Sequence, residues 1–387
     1  MNDMKTVAID VRLIGRKRTG DETVFRSLVS ALIREDRGMR FLLLTDRTEA
    51  DDLERIREAI ELRKDGRAEL VSLPARNRIV WNLVVIPVFL LRNRIDVFHT
   101  QYILPFFVPR RTKVVTHIHD ISFRRFPEYI GWSDRLFLSA FIPRTMRRSD
   151  LLVVPSVFTG DEIADAYGVS ESRIVVIPNA AESRSSDPVV PEEIRRVRER
   201  YGLPDRFVLS VGTMQPRKDI PTLIRAFADS ADRLPDTSLV LVGGRGGHNY
   251  DVRIEDAIAE SGSGDRVVFS GYVAEEDLVA VYKAARLLVF PSRYEGFGLP
   301  LLEAFAQGVP VIASDIPPFR EVGGDAPTYF PPGDVATLSR ELYTLSVNEE
   351  ARKRAGDRGR DRTRLFSWER SARELAGVYE GLVRGEK

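Results

Sequence analysis

Residues 286–314 read Arg-Leu-Leu-Val-Phe-Pro-Ser-Arg-Tyr-Glu-Gly-Phe-Gly-Leu-Pro-Leu-Leu-Glu-Ala-Phe-Ala-Gln-Gly-Val-Pro-Val-Ile-Ala-Ser. Leu287–Phe290 and Val309–Ala313 are short apolar runs typical of buried parallel strands, and the spacing between them is helical, so the unit is βαβ. At the strand-to-helix joint Glu295, Gly296, Phe297 and Gly298 precede Pro300, which suits a first helical turn because its missing N–H would go unbonded there anyway. A helix is therefore predicted to start near Leu299. Its free N–H groups and positive dipole end suit an anion, and the two glycines let a ligand approach the backbone. Glu295 lies just before this helix and Glu303 one turn inside it, placed to bracket one bound group. A carboxylate repels a phosphate, so these two suit the hydroxyls of a sugar or ribose, and the ligand read from the joint is a sugar nucleotide. The plain alternative is a capped helix with two solvated acids.

Taken whole, the string Pro-Ser-x-x-Glu-Gly-Phe-Gly-Leu-Pro-x-x-Glu-Ala, running on through Gly-x-Pro-Val to Ala-Ser, resembles the Glu-x7-Glu signature of retaining glycosyltransferases of family 4 (group 1). The resemblance implies an α/β GT-B fold: two Rossmann-like domains with parallel sheets facing across a cleft, and a C-terminal helix crossing back to the N-terminal domain. It also implies that Gly296, Phe297, Gly298 and Leu299 meet the donor diphosphate, Glu303 the ribose and Glu295 the sugar hydroxyls.

The rest of the chain agrees with an ordinary soluble protein of this size. With 387 residues the length favours two domains, and 43% apolar and 30% charged residues describe a globular chain. A net charge of +1 gives no basic field for nucleic acid. The absence of cysteine excludes disulfides, cysteine-ligated zinc and a thiol nucleophile. The N-terminus leads into a strand rather than a signal peptide, so a cytoplasmic location is expected. Ile79–Leu91, flanked by Arg76, Arg78, Arg92 and Arg94, is too short to span a bilayer. It reads as a buried helix or as a basic-edged peripheral contact with the inner face of the cell membrane.

Apolar runs alternate with amphipathic segments throughout. Thr6–Ile9, Phe41–Leu44, Leu70–Leu73, Val97–His99, Val114–His117, Leu151–Val154 and the run from Ile174 are strands of a first domain, 1–180. Its helices are expected near 21–34, 51–63, 79–92 and 133–148. Breakers in Glu182–Pro188 mark a hinge. Phe207–Gly212, Leu239–Val242, Val267–Phe269, Leu287–Phe290, Val309–Ala313 and Thr328–Phe330 are strands of a second domain, 181–366. Ser367 is a good N-cap for a last helix over 367–387, and the resemblance sends that helix back to the first domain. It assigns the acceptor to the first domain and the sugar nucleotide to the second.

Several other constellations fall at strand ends, where such sheets bind ligands. Gly212-Thr213-Met214-Gln215-Pro216-Arg217-Lys218 offers two cations for a diphosphate, or a solvated basic pair. The family's similar Gly-x-x-x-x-Pro-Arg-Lys places those cations on the donor phosphates. Relatives often carry Arg where this chain has Thr213, which puts a third phosphate contact in doubt. Gly243 and the pair Tyr272 and Val273 end two more strands, where the resemblance puts the nucleoside. In Thr116-His117-Ile118-His119-Asp120 the two histidines point to one side of a strand. No third ligand stands at metal spacing, so His117 reads as a hydrogen-bonded structural residue. The resemblance brings His119 near the transferred sugar and Asp120 toward the acceptor. Gly15-Arg16-Lys17-Arg18-Thr19-Gly20 is either an ordinary turn or a thin version of the family's glycine loop, with Gly20 on the acceptor side.

The resulting expectation is a retaining, metal-independent hexosyltransferase with no cofactor, in which His119, Arg217, Lys218 and Glu295 carry catalysis. GDP-mannose is the preferred donor, by likeness to bacterial mannosyltransferases of surface polysaccharide assembly, and a UDP-sugar stays open. The acceptor would be a glycan or a polyprenyl-diphosphate-linked one. A sugar-nucleotide epimerase of the same fold and a donor-binding scaffold without catalysis are the rival readings; a Rossmann dehydrogenase would need a Gly-x-Gly-x-x-Gly turn that neither domain shows.

Overall fold

Runs rich in Val, Ile and Leu can be buried on both faces only in a parallel sheet covered by helices, and this chain builds two such sheets. The computed structural model describes residues 4–15, 20–35, 38–62, 66–129, 131–181, 189–245 and 249–385. In the first sheet β1 (Lys5–Asp10), β2 (Met39–Thr45), β3 (Ala68–Ser72), β4 (Val97–Gln101), β5 (Lys113–His117), β6 (Leu151–Val154) and β7 (Ile174–Val176) run parallel in the order β3-β2-β1-β4-β5-β6-β7. In the second, β8 (Phe207–Val211), β9 (Ser238–Val242), β10 (Val267–Gly271), β11 (Leu287–Phe290), β12 (Val311–Ser314) and β13 (Thr328–Phe330) run parallel in the order β10-β9-β8-β11-β12-β13. The order of each sheet reverses beside its first strand, at β1/β4 and at β8/β11. Loops leaving neighbouring strands diverge at such points and open a crevice for ligands.

Two compact units result. One holds Met1–Ile121, Trp132–Asn179 and Ser367–Lys387; the other holds Ser122–Gly131 and Ala180–Phe366. The excursion of Ser122–Gly131 interrupts the expected first domain over 1–180. It includes Phe126, whose ring meets Tyr294 edge-on at 5.5 Å. The terminal helix, Trp368–Arg384, starts at Ser367, whose hydroxyl accepts from the Arg370 N–H, and packs in the first unit as expected. Its buried face carries Ala372, Leu375, Ala376 and Tyr379, and Ser371 Oγ donates to the Pro178 carbonyl at 2.6 Å.

Elsewhere the structure corrects the reading. The helix expected over 79–92 is Arg78–Val80 and Ile86–Arg92 around a π-helical turn, Trp81–Val85. Pro87 cannot donate to the preceding turn, and a π turn relocates the missing bond without ending the helix. Nor is this helix buried all round. Trp81, Ile86, Phe89 and Leu90 face the core, while Ile79, Leu83, Val84, Val88 and Leu91 are exposed. The helix expected over 51–63 is Ala50–Ala59. The strand read as Val309–Ala313 begins at Val311, because the Val309 N–H still bonds Ala304 of the preceding helix. The proposed hinge at Glu182–Pro188 lies outside the described residues.

Candidate active site

The first element of the site is the pair of loops leaving β8 and β11, adjacent strands at the switch point of the second sheet. The Arg293 N–H donates to the Arg217 carbonyl at 2.8 Å and ties the loops together. Pro216–Lys218 forms a 3-10 turn that turns both cations toward the β11 loop. There Arg217 Nη1 donates to Glu295 Oε2 at 2.9 Å, the Lys218 ammonium donates to Glu295 Oε1, and Ser292 Oγ donates to Oε1 at 2.8 Å. Glu295 is 7% exposed. Burial pushes its carboxyl up, but the Lys218 and Arg217 charges, with hydrogen bonds from Lys218 and Ser292, outweigh burial and hold it at about 2. The two cations thus share one carboxylate.

The sequence assigned the cations to a diphosphate and Glu295 to a sugar; the structure joins all three in one cluster. Ser292, quoted in the motif without a role, completes it. Beside it, a small solvent-open recess is lined by Gly212, Thr213, Lys218, Phe290 and Pro291 among others. Thr213, the departure from the family pattern, thus borders the Lys218 recess.

The second element is the helix Leu299–Ala306, which starts where expected, with Gly298 as its N-cap. Gly298 has φ 109°, and a Cβ there would stand 2.9 Å from the Phe319 ring, so both backbone and packing demand glycine. Gly243 has a similar internal reason: a Cβ would lie 2.1 Å from the Gly212 carbonyl oxygen. These glycines are explained by the fold itself, whatever approaches them. Glu303 Oε2 accepts from the Tyr282 hydroxyl at 2.6 Å. Burial, and then the Glu303 carboxylate, raise the Tyr282 phenol well above its ordinary value, so it remains a donor that fixes Glu303. Tyr272 is 59% exposed, whereas the side chains of Val273 and Phe297 pack into the core, leaving mainly their backbones to a ligand.

Of the remaining predicted residues, all in the first unit, His119 and Asp120 follow the end of β5. His119 Nε2 lies 2.9 Å from Gln101 Oε1, and its ring is 4.5 Å from that of His117. His117 is fully buried, and neither of its ring nitrogens has a hydrogen-bond partner, which corrects the expectation of a hydrogen-bonded residue. The Tyr102 ring stands 5.7 Å from His119, and its hydroxyl donates weakly to Asp21 at 3.4 Å. Gly20 opens the helix Gly20–Arg34, and Asp120 is half-buried. Gly15 donates its N–H to Glu22 at 2.7 Å; Arg16–Thr19, like Gly246 and Gly247, lie outside the described residues. Gln101 was missed, although it sits opposite His117 in register and period-two alternation puts it on the histidine face. Among the described residues no three or more His, Asp or Glu form a group able to hold a metal ion.

Two family models match the chain: Glycosyltransferase Family 4 over residues 18–183 and Glycosyl transferases group 1 over residues 192–362. The O-antigen chain mannosyltransferase B of Escherichia coli is 34% identical over 284 residues, 71% of this chain and 72% of that protein. A mannosylfructose-phosphate synthase of Agrobacterium fabrum is 31% identical over 245 residues, 61% of this chain and 54% of that protein. Among solved structures, sucrose-phosphate synthase from Thermosynechococcus elongatus superposes with a TM-score of 0.75 at 24% identity, covering 98% of this chain and 100% of that one. Anabaena HepE in complex with UDP and glucose gives 0.72 at 18% identity, covering 98% and 100%. At these identities the structures speak to the fold alone. The two parallel sheets, the returning terminal helix, the paired family models and the extent of the mannosyltransferase match converge: the chain belongs to the group 1, family 4 glycosyltransferases of GT-B fold.

Proposed function

We propose that this glycosyltransferase moves a hexosyl group, mannose from GDP-mannose, onto a glycan or polyprenyl-diphosphate-linked acceptor of surface polysaccharide, with retention of configuration. The observation that carries the reading is the Arg217–Lys218–Glu295 cluster at the β8/β11 switch point, whose Glu295 lies four residues before the start of the Leu299–Ala306 helix. Arg217, Lys218 and the first N–H groups of that helix stabilise charge growing on the diphosphate as the glycosidic bond loosens. Glu295 holds both cations in place and shares its oxygens with the sugar hydroxyls; Glu303, fixed by Tyr282, takes the ribose. His119 faces the transferred sugar and Asp120 the acceptor. The leaving phosphate receives the acceptor proton on the same face, so no separate base is assigned. In this scheme the diphosphate charge is met by side chains rather than by a metal ion.

The mannosyl names of the two relatives support mannose, while the UDP complex of the Anabaena structure keeps a uridine donor as the second reading. A panel of GDP-, UDP- and ADP-sugars, scored by thermal stabilisation and by NMR of the transfer product, tests both. Retained configuration with a GDP-sugar is expected; an inverted product overturns the mechanism, and an epimerised sugar from donor alone would favour the epimerase.

The same reading includes peripheral contact with an anionic membrane. Ile79, Leu83, Val84, Val88 and Leu91 expose an apolar stripe, and the Phe106 N–H donates to the Asn82 carbonyl, bringing exposed Phe106 alongside. From Leu70 to His119, Arg76, Arg78, Arg92, Arg94, Arg110, Arg111 and Lys113 stand against Asp96 alone. An apolar stripe edged by arginines matches the interface of an anionic bilayer. No helix among the described residues is long and apolar enough to cross one. Sedimentation with vesicles containing phosphatidylglycerol, but not with phosphatidylcholine alone, is expected, and Leu83→Asp with Val84→Asp should abolish it. Equal sedimentation of this variant removes the stripe from the reading.

A further inference from the structure

Three of the four histidines of the chain stand in one file on one face of the first sheet. The register pairs Gln101 with His117 and His99 with Val115, and alternation puts all four on the same side. His99 and His117 stack at 6.0 Å with planes 10° apart, and His117 and His119 follow at 4.5 Å and 30°. At the inner end His99 Nδ1 meets the Tyr379 hydroxyl of the terminal helix at 2.5 Å. From the side the Phe25 ring stands edge-on to His99 at 5.4 Å and to His117 at 5.9 Å. His117 therefore has rings on three sides and no hydrogen bond through which to turn. At the outer end the edge of His119 meets the side chain of Gln101.

We propose that Gln101 and His117 are positioning residues for His119, Gln101 setting its tautomer and His117 its ring plane. The Gln101 Oε1 atom can only accept, so the proton lies on Nε2 and the lone pair is left on Nδ1. His119 then offers an acceptor, not a donor, to a substrate hydroxyl. The face of His117 supports the ring that makes this contact, and Phe25 and His99 keep His117 from rotating. Burial lowers His117 well below its ordinary value and His99 to about 3, so the platform is uncharged at neutral pH. The inference rests on the reading that His119 faces the transferred sugar, but the tautomer itself does not.

The test uses the full chain labelled with 15N-histidine, whose side-chain 1H–15N correlations report each ring's tautomer without substrate. The wild type is expected to show His119 as the Nε2–H form. Gln101→Leu should give mixed tautomers and lower kcat at least 10-fold, with donor KM within two-fold. Gln101→Glu, which keeps an accepting oxygen, should restore the Nε2–H form and part of the rate. His117→Leu should lower kcat in the same way, and His117→Phe, which keeps a ring in the slot, should recover it. An Nδ1–H form in the wild type, an unchanged His119 pattern in Gln101→Leu, or a KM rise that accounts for the whole loss would each overturn the proposal. Should the wild type transfer no sugar with any donor, the functional reading fails by itself and the NMR arm still decides the tautomer.

Discussion

Glu295 is the residue on which the proposed chemistry turns, because its two oxygens occupy donors that a diphosphate also needs. Glu295→Gln removes that competition but takes a shared carboxylate from both cations. We expect GDP or UDP, which lack the sugar, to bind this variant tighter, about 10-fold for a gain of ~1.4 kcal/mol, while turnover falls. Calorimetric titration beside a rate assay checks it, and weaker nucleotide binding would count against shared donors. The same residue sets a pH dependence. Its folded value, about 2, lies below the ordinary 4.5, so its stabilisation is present above about pH 4.5 and lost as pH falls toward 2. The size is on the order of 3 kcal/mol. Acid unfolding of the wild type and Glu295→Gln should therefore converge between pH 4.5 and 2; parallel curves would mean that the charge pair does not support the fold.

At the scale of elements, the strands show where local pattern suffices and where it stops. β6, β11 and β13 run from the first to the last residue expected, because short apolar runs between breakers state their own ends. The helix around Trp81 did not follow its pattern. Its apolar period spans 79–91, yet Pro87 forces a π turn, and the ring of Trp81 is drawn inward by a 2.8 Å hydrogen bond to Asp10 of β1. A fully apolar period cannot say which side meets protein and which meets something else. His117 makes a related point on β5. Its nitrogens pair with nothing, so a phenyl ring in its place would leave no polar atoms unsatisfied. His117→Phe should stabilise the protein by roughly 1 to 2 kcal/mol, read as a higher denaturant midpoint. A lower midpoint would reveal a partner for those nitrogens.

Over the whole molecule, the terminal helix makes the first unit discontinuous in sequence. Tyr379 lies 280 residues from its partner His99, and Ser371 lies 193 from Pro178. Deleting Ser367–Lys387 should therefore unlock the first unit alone. Hydrogen exchange should rise across β4 and the Gly20–Arg34 helix and stay slow in β8, β9 and β11, and equal loss in both sheets would contradict the division. By itself the sequence determined the two α/β halves and the start of the helix at Leu299, since period, breakers and a dense motif are properties of neighbours along the chain. Only the tertiary structure decided that Glu295 closes on cations 77 and 78 residues away, that three histidines share one file, that Ser122–Gly131 joins the second unit and that one apolar helix face stays uncovered. Those contacts depend on which strands lie side by side, and strand order is fixed by the packing of the whole core rather than by any local run of residues.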